Sequence, residues 1–263
     1  MPRKNRVPVA AAKQPKVAPA RTAAASESPD FRGFSPKALQ FFMALEAHQT
    51  REWFHANKAS YEALVLQPMD LFLQAASAAL KAKRIPLKGT LKSSVFRINR
   101  DVRFSKDKQP YKNHVGAVLT RDGTKQSQGL IYLHLSPVEC FAAAGFYALE
   151  PEPLASFRRA MVNAPARWRT TVAALKAAGL ELSREDALAR LPRGFPADKT
   201  GELGETVVED LKLKSYIVRQ PLRAATVRSA ALVDTVVELA RATKPLLEFG
   251  WAALGPGSAP RAD

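Results

Sequence analysis

The spacing of hydrophobic positions changes twice along the chain, from a helical period to alternation and back again. Between residues 31 and 83 apolar side chains recur every three or four positions, which predicts helices. Ser35 and Pro36 have the form of an N-cap and a first helical residue. Thr50 is placed to cap a second helix, and Pro68 predicts the start of a third. The pattern therefore predicts a helical N-terminal third.

From residue 94 the period changes to two, as in a strand. The alternation predicts a strand over 94–104, a turn at 105–110 and a second strand over 111–120. Arg100 is the one charge on the apolar side of the first strand, so we expect it to be buried and paired. Further strands are predicted over 130–137, 139–149 and 215–222. Because the central strands are closely spaced and joined by turns, they predict an antiparallel meander.

After Pro151 the helical period returns and continues to residue 254, interrupted by a Pro- and Gly-rich loop over 191–204 and by the strand near residue 220. The predicted fold class is therefore α+β, with a helical N-terminal third, a central antiparallel β-meander and a helical C-terminal part packed on the sheet. Residues 31–254 contain no internal repeat and no linker-like shift in composition, so they predict a single domain.

The two ends of the chain lack the apolar content of a folded segment. Residues 1–30 are rich in Ala, Pro, Lys and Arg and contain only aliphatic apolar residues without a period, which predicts a disordered basic tail; residues 255–263 are predicted to be a second disordered tail. The basic tail has three interpretations: an arm for nucleic acid, a mitochondrial transit peptide, or a solvated segment without a specific role. Its prolines argue against the amphipathic helix of a transit peptide.

Composition narrows the classes of function. The chain has 40 Lys and Arg against 24 Asp and Glu, and the resulting net charge of +16 favours an anionic partner. It contains neither a run of about 18 uninterrupted apolar residues nor an N-terminal apolar signal region, so we expect a soluble, cytoplasmic protein with no membrane partner. Cys140 is the single cysteine, which excludes an internal disulfide, and its apolar neighbours predict a buried side chain. We predict no metal site.

The densest charge in the chain lies between Lys88 and Lys112, where eight basic residues accompany only Asp101 and Asp107. Planar guanidinium groups on one strand face suit bidentate capture of phosphate or carboxylate, and Asp101 is placed to hold one of them. We therefore predict that this segment binds a phosphate-bearing small molecule or nucleic acid. The predicted ligand-binding residues are Arg97, Arg103, Lys106, Lys108, Tyr111 and Lys112.

Two alternatives remain open for this region. In the first, the protein is an enzyme that acts on a phosphate or carboxylate substrate, with Asp101, His114 or His134 as acid–base groups. Alternation places His134 on the face of Tyr132 and opposite Leu133. An enzyme would require the histidine, the aspartate and the arginines to meet in one pocket.

In the second alternative the charged segment is a structural latch. Its arginines, at positions 97, 100 and 103, would then pair with Asp101, with Asp107 and with a glutamate of the N-terminal helices, either Glu52 or Glu62. The sequence predicts neither a cofactor nor an oligomeric state.

Several sequence blocks resemble a known family. The blocks are FRGFSPKALQFFMAL (31–45), REWFHANKASYEALV (51–65), FRINRDVRFSKDKQPYKNHVG (96–116), YLHLSP (132–137), LPRGFP (191–196) and LKLKSYIV (211–218). In these blocks the chain resembles the bacterial and fungal family called domain of unknown function 2461, over about residues 31–250. Where that family usually has two asparagines, this chain has Gln49 and Thr50, and it has Ala-Ala-Ala-Gly at 142–145 where the family is often richer in glycine. The resemblance implies no established activity.

Overall fold

The computed structural model describes residues 30–195 and 200–255, so the predicted disordered tails lie almost entirely outside the described residues. The described part has helices at its N-terminal side, a four-stranded antiparallel sheet in the middle and helices at its C-terminal side, with 49% helix and 14% strand. This arrangement confirms the predicted α+β class.

The N-terminal helices are α1 (Pro36–Ala47), α2 (Arg51–Ala56), α3 (Lys58–Tyr61), a π-helical segment (Glu62–Leu66) and α4 (Gln67–Ala82). Thr50 caps α2 as predicted, since its side-chain oxygen accepts a hydrogen bond from the backbone N–H of Trp53 at 3.2 Å. Pro68 lies in the first turn of α4, which confirms that a helix starts there, and α4 follows directly on the π-helical segment. A π-helical turn just before the proline widens the helix where a proline ring would otherwise strain the preceding turn, and the helix continues through it.

The continuous helix Lys58–Ala82 is long and apolar enough, by length and composition, to cross a membrane, with a mean hydropathy of 1.3. This signal is weak, because the core helix of a soluble protein passes the same test. In this structure Met69, Phe72 and Leu73 on this helix are fully buried in the core.

The sheet consists of β1 (Val115–Thr120), β2 (Leu130–Leu135), β3 (Cys140–Phe146) and β4 (Tyr216–Pro221), in that spatial order and antiparallel throughout. Each strand lies inside, or within one residue of, a range predicted from the alternating pattern. One face of the sheet packs on helices, since β3 contacts α11 (Ala231–Ala242) and α12 (Lys244–Leu254), and α11 packs on α4.

The predicted strand over 94–104 is wrong. A short helix, α5 (Leu91–Ser94), capped by Thr90, interrupts the chain where it runs along the edge of β1. Only isolated bridges join this segment to the sheet, at Lys88 and Val95. The alternating pattern does not continue as a ladder, because after α5 the chain makes only isolated bridges, from Val95 to Ala117 and from Asn99 to Tyr111, and residues 100–110 then form an irregular loop.

The remaining helices complete the fold around the sheet. They are α6 (Pro151–Asn163), α7 (Pro165–Ala177), α8 (Thr200–Leu203), α9 (Glu205–Asp210) and α10 (Ala224–Val227), followed by α11 and α12. The core on this side is aromatic, with Phe157 stacked on Tyr216 at a centroid distance of 4.1 Å and Trp168 packed edge-on against both. These helices cover one face of the sheet, whereas the other face is only partly covered and its side chains on β2 are half-buried.

Candidate ligand-binding site

The two faces of β2 differ in burial. Ile131, Leu133 and Leu135 are buried against the helices, whereas Tyr132 and His134 point to the opposite face and are half-buried. The prediction that His134 shares the face of Tyr132 is therefore confirmed. On β2 the opposite face therefore carries side chains that can form hydrogen bonds, where the helix-facing side carries core side chains.

A cavity of about 500 Å³ lies on this opposite face, and we call it the open-face cavity. Its volume falls within the usual range for small-molecule sites. The side chains of Phe96, Tyr132, Phe141 and Tyr147 supply aromatic surface to it. Its polar and charged lining residues are Lys112, His114, His134, Glu139, Glu185 and Arg219.

Four planar groups form a column along the cavity. The guanidinium of Arg219 lies 3.8 Å from the ring centre of Phe141, which stacks on His134 at 4.7 Å. His134 in turn lies 4.5 Å from the ring of His114. The column depends on strand register, since His134 pairs with Phe141 in the sheet and a one-residue shift would place these side chains on opposite faces. Glu139 forms an ion pair with Arg219 at one end of the column.

Tyr132 fixes the middle of the cavity. Its hydroxyl oxygen lies within hydrogen-bond distance of Nδ1 of His134, at 3.2 Å, and its ring meets Phe96 edge-on. The ring has room because residue 116 on the adjacent strand is glycine. A Cβ at Gly116 would lie 2.5 Å from the hydroxyl oxygen of Tyr132, which is closer than such atoms approach. The position of Tyr132 therefore requires glycine at 116.

The imidazoles of this cavity favour the neutral form. Burial, the neighbouring His114 and Arg219 lower the pKa of His134 to about 4, against the opposing charge of Glu139. Burial and the charge of Lys112 lower the pKa of His114. Burial also raises the pKa of Tyr132 to about 12, so its phenol stays protonated. At neutral pH the column consequently offers neutral rings that are able to accept or donate hydrogen bonds.

Positive charge gathers at the opposite end of the cavity, around Phe96. The ammonium groups of Lys112 and Lys125 lie 5.7 and 6.0 Å from the centre of that ring. Lys112 donates a hydrogen bond to the backbone carbonyl of Arg97 at 3.0 Å. Burial, together with the charges of Arg97 and Lys125, lowers the pKa of Lys112. We call Arg97, Lys112 and Lys125 the cation cluster; within the described residues none of the three forms an ion pair with a carboxylate.

Of the predicted site residues, Lys112, His114 and His134 meet in the open-face cavity. Tyr111 lies in the core instead, since its ring is 3% exposed and stacks on Phe54 at 4.4 Å. Gln49 accepts a hydrogen bond from the backbone N–H of Tyr111 and donates one to its carbonyl. Tyr111 thus anchors the chain between the N-terminal helices and the cavity.

Arg97 belongs to the cation cluster, and the remaining predicted residues lie in residues 100–110, which we call the basic loop. There Asp101 accepts hydrogen bonds from Arg103, which lower the pKa of Asp101 to about 2, and Lys108 donates to the carbonyl of Val102. Lys106 is exposed. Because Asp101 does not line the cavity, it does not meet the histidines as the enzyme alternative expected of it.

The ion pairs of the basic loop are local. Arg100 pairs with Asp107 at 2.5 Å, which confirms that it is paired. Its side chain is 28% exposed, so the expectation that it is buried is wrong. Glu62 pairs with Lys58 on its own helix. Among the described residues no ion pair joins the basic loop to the N-terminal helices, contrary to the latch alternative, because each aspartate of the loop already has an arginine within the loop.

Sequence reasoning missed Phe141, Glu139 and Arg219. The alternating pattern of β3 and β4 does put Phe141 and Arg219 on the open face, but their meeting with the histidines follows only from strand order and register. In residues 30–195 and 200–255, no group of three His, Cys, Asp or Glu side chains is arranged to hold a metal ion. Cys140 is half-buried, and burial raises the pKa of its thiol.

Comparison with known proteins identifies a family. Residues 37–249 match the model of a family described as a conserved hypothetical protein (DUF2461). Searches of curated proteins and of solved structures returned no match.

Proposed function

The chain belongs to the domain of unknown function 2461 family of conserved hypothetical proteins, and we propose that this member of the family binds a phosphate-bearing ligand with a planar ring, such as a nucleotide. The ligand occupies the open-face cavity, with its phosphate at the cation cluster and its ring among the aromatic side chains. The observation that carries this proposal is that one cavity combines aromatic side chains with a neighbouring group of cations that form no ion pair in the described residues.

The phosphate end is the end near Phe96. Lys112 and Lys125 bring two ammonium groups to this ring, and Arg97 adds a guanidinium, without a paired carboxylate on any of them in the described residues. At the other end Glu139 and Arg219 neutralise each other. A phosphate is therefore attracted to the cation cluster and not to Arg219, because only the former has uncompensated charge.

The ring end lies among Tyr132, Phe141 and Tyr147. One face of Phe141 is covered by Arg219 and the other by His134, so Phe141 supports these groups and has no free face. Tyr147 is 65% exposed at the rim of the cavity and offers a ring on which a base can stack. The neutral imidazoles provide hydrogen-bond partners for the edge of that base.

A calorimetric titration tests the proposal with a mononucleotide, the matching nucleoside and inorganic phosphate. We expect the mononucleotide to bind more tightly than either part. Lys112→Met keeps the aliphatic stem but removes the charge, and we expect it to weaken binding of the mononucleotide about 10- to 100-fold, since a hydrogen bond to a charged group contributes about 1.5–3 kcal/mol. Lys37→Met, on the exposed surface of α1, makes the same chemical change as a control. Equal affinity of the two variants for the mononucleotide would reject the cation cluster as the phosphate site.

The paired rings of His114 and His134 favour a second candidate function, an enzyme that acts on the bound phosphate compound. A neutral imidazole in the cavity is able to accept a proton from water or substrate, and Tyr132 orients His134 through the hydrogen bond to Nδ1. Product analysis after incubation with nucleotides tests this candidate. Turnover that survives in both His114→Gln and His134→Gln would exclude the two histidines as acid–base groups.

A further inference from the structure

The basic loop is closed at its base and attached to the edge of the open-face cavity. The backbone N–H of Arg100 donates to the carbonyl of Pro110, and that of Lys112 donates to the carbonyl of Ile98, both at 2.8 Å. A bridge between Asn99 and Tyr111 lies between these two bonds. Because the core packing of Tyr111 holds this base in place, the loop projects from a fixed point.

Phe104 is the most exposed large hydrophobic side chain in the described part of the chain, with 96% of its surface accessible. Single exposed apolar residues are common and need no explanation by themselves. Phe104 differs because it stands among cations: the segment 97–112 contains six basic and two acidic residues, for a net charge of +4. The guanidinium of Arg103 lies 5.8 Å from the centre of its ring. An accessible aromatic face among positive charges is the combination that stacks a base and holds the phosphates beside it.

The base of the loop adjoins the cavity. Lys112, whose backbone N–H makes one of the two bonds that close the loop, and Phe96, two positions before Ile98, both line the cavity. Arg97 is next to this closure and belongs to the cation cluster. A chain of nucleotides that leaves the cavity past the cation cluster therefore meets the basic loop next.

We propose that the ligand of this protein is a single-stranded nucleic acid, with one nucleotide in the open-face cavity and a neighbouring base stacked on Phe104. This inference rests on the proposed function and names its substrate class. Single strands fit because their bases have free faces, whereas the bases of a duplex are already stacked on one another. Lys106, which is exposed on the loop, supplies charge along the path of the backbone.

An anionic membrane surface is the other partner that an exposed phenylalanine among basic residues would suit. It would use Phe104 and the loop charges but leave the aromatic cavity without a role. The single strand uses both surfaces, so the structure favours it.

Fluorescence anisotropy with labelled ligands tests the inference on the full chain. The ligands are a mononucleotide, a short single-stranded RNA, the matching DNA and a duplex of the same length, each at low and high salt. We expect Phe104→Ala to weaken binding of the single strands about 5- to 150-fold, the effect of losing one base–aromatic stack, and to leave mononucleotide binding unchanged. Phe104→Trp restores the affinity. Met43→Ala, which removes another exposed hydrophobic side chain from α1, is the control and has no effect.

The charge of the loop has its own readout. Lys106→Ala is expected to reduce the dependence of single-strand affinity on salt, because one fewer counterion is released from the nucleic acid on binding. Comparison of RNA with DNA then shows whether the 2′-hydroxyl is recognised.

Several results would overturn the inference. It fails if Phe104→Ala binds the single strand as tightly as the unaltered protein, if the duplex binds as well as the single strand, or if vesicles of anionic lipid bind through Phe104 while the single strand does not. If Lys112→Met weakens mononucleotide binding but Phe104→Ala leaves single-strand binding unchanged, this inference alone is rejected. If the unaltered protein binds neither the mononucleotide nor the single strand, the proposed function is rejected as well.

Discussion

The two faces of the central sheet are built from neighbouring residues of the same strands, yet they serve different purposes. On β2, Leu133 is 2% exposed and belongs to the core, whereas His134, one residue later, lines the open-face cavity. The helix-facing side is apolar and packed; the open side carries imidazole, phenol and guanidinium groups around empty volume. A single step along a strand therefore separates side chains that pack in the core from side chains that can form hydrogen bonds in a cavity.

The open face keeps its volume through small residues. Ala143 is opposite Tyr132 on β3, and Gly116 lies two positions from its partner Val118 on β1, so the ring of Tyr132 extends over Gly116. The helix-facing side shows the opposite choice, with Phe146 and Tyr216 filling the space next to Phe157. Substitutions that exchange these properties are the most direct way to test the comparison.

The largest effect is expected on the helix-facing side. Leu133→Ala should lower the free energy of unfolding by about 2–5 kcal/mol, because it removes buried apolar surface and leaves a cavity that the packed neighbours fill only in part. Chemical denaturation monitored by circular dichroism measures this change in the free energy of unfolding. His134→Gln is the matched change one position away and should alter stability far less. If the two variants are destabilised equally, the contrast between the faces is wrong.

An intermediate effect is expected at Gly116, which lies in a buried strand and also makes room for Tyr132 in the cavity. Gly116→Ala should push the hydroxyl of Tyr132 aside, at a cost of about 1–3 kcal/mol in stability, the usual range for overpacking. It should also weaken ligand binding, because Tyr132 lines the cavity. Gly201→Ala makes the same change where an added Cβ meets open space and is the control. Unfolding curves and ligand titrations that match those of the control would show that Tyr132 is free to move.

A smaller effect on stability is expected when the pH is lowered, because His134 then becomes protonated. The pKa of His134 is about 4 in the folded protein and about 6.5 when unfolded, so the unfolded state binds more protons between these values. Stability from this group is thus fully present above pH of about 6.5 and is lost as the pH falls towards 4. Melting temperatures measured across this window should fall less steeply for His134→Gln than for the unaltered protein. His55→Gln, on the exposed side of α2, should keep the original slope.

The smallest effect is expected for the exposed ion pair of the basic loop. Asp101→Ala removes the partner of Arg103, but both side chains are largely in solvent, where such pairs contribute little. The melting temperature should not change measurably. Unfolding of this variant would instead support the structural latch that the sequence left open.

The helical N-terminal part and the positions of β1 to β4 were predictable because periodicity is a local property of the chain. The same reasoning failed for residues 94–104, where the alternation is present but most of the backbone partners are not. A strand exists only when another strand supplies its hydrogen bonds, and here only isolated bridges form before the chain enters the basic loop.

The candidate site was predictable only in part, because local patterns identify side chains but not the distant residues that these side chains contact. Lys112 and His114 stand out because they continue a charged segment, and His134 because it interrupts an apolar strand. Arg219 lies more than 80 positions beyond His134, and no local pattern connects the two. Tyr111 looked like a ligand residue from its charged neighbours, but its burial was decided by Phe54 on a distant helix.

The periods of the elements, the faces on which side chains lie and the excess of positive charge all follow from the amino-acid sequence. The order and register of the strands do not, and they bring Arg219, Phe141, His134 and His114 into one column. The period of a strand is set by bonds between adjacent residues, whereas the contacts across a sheet depend on non-local hydrogen bonds and packing.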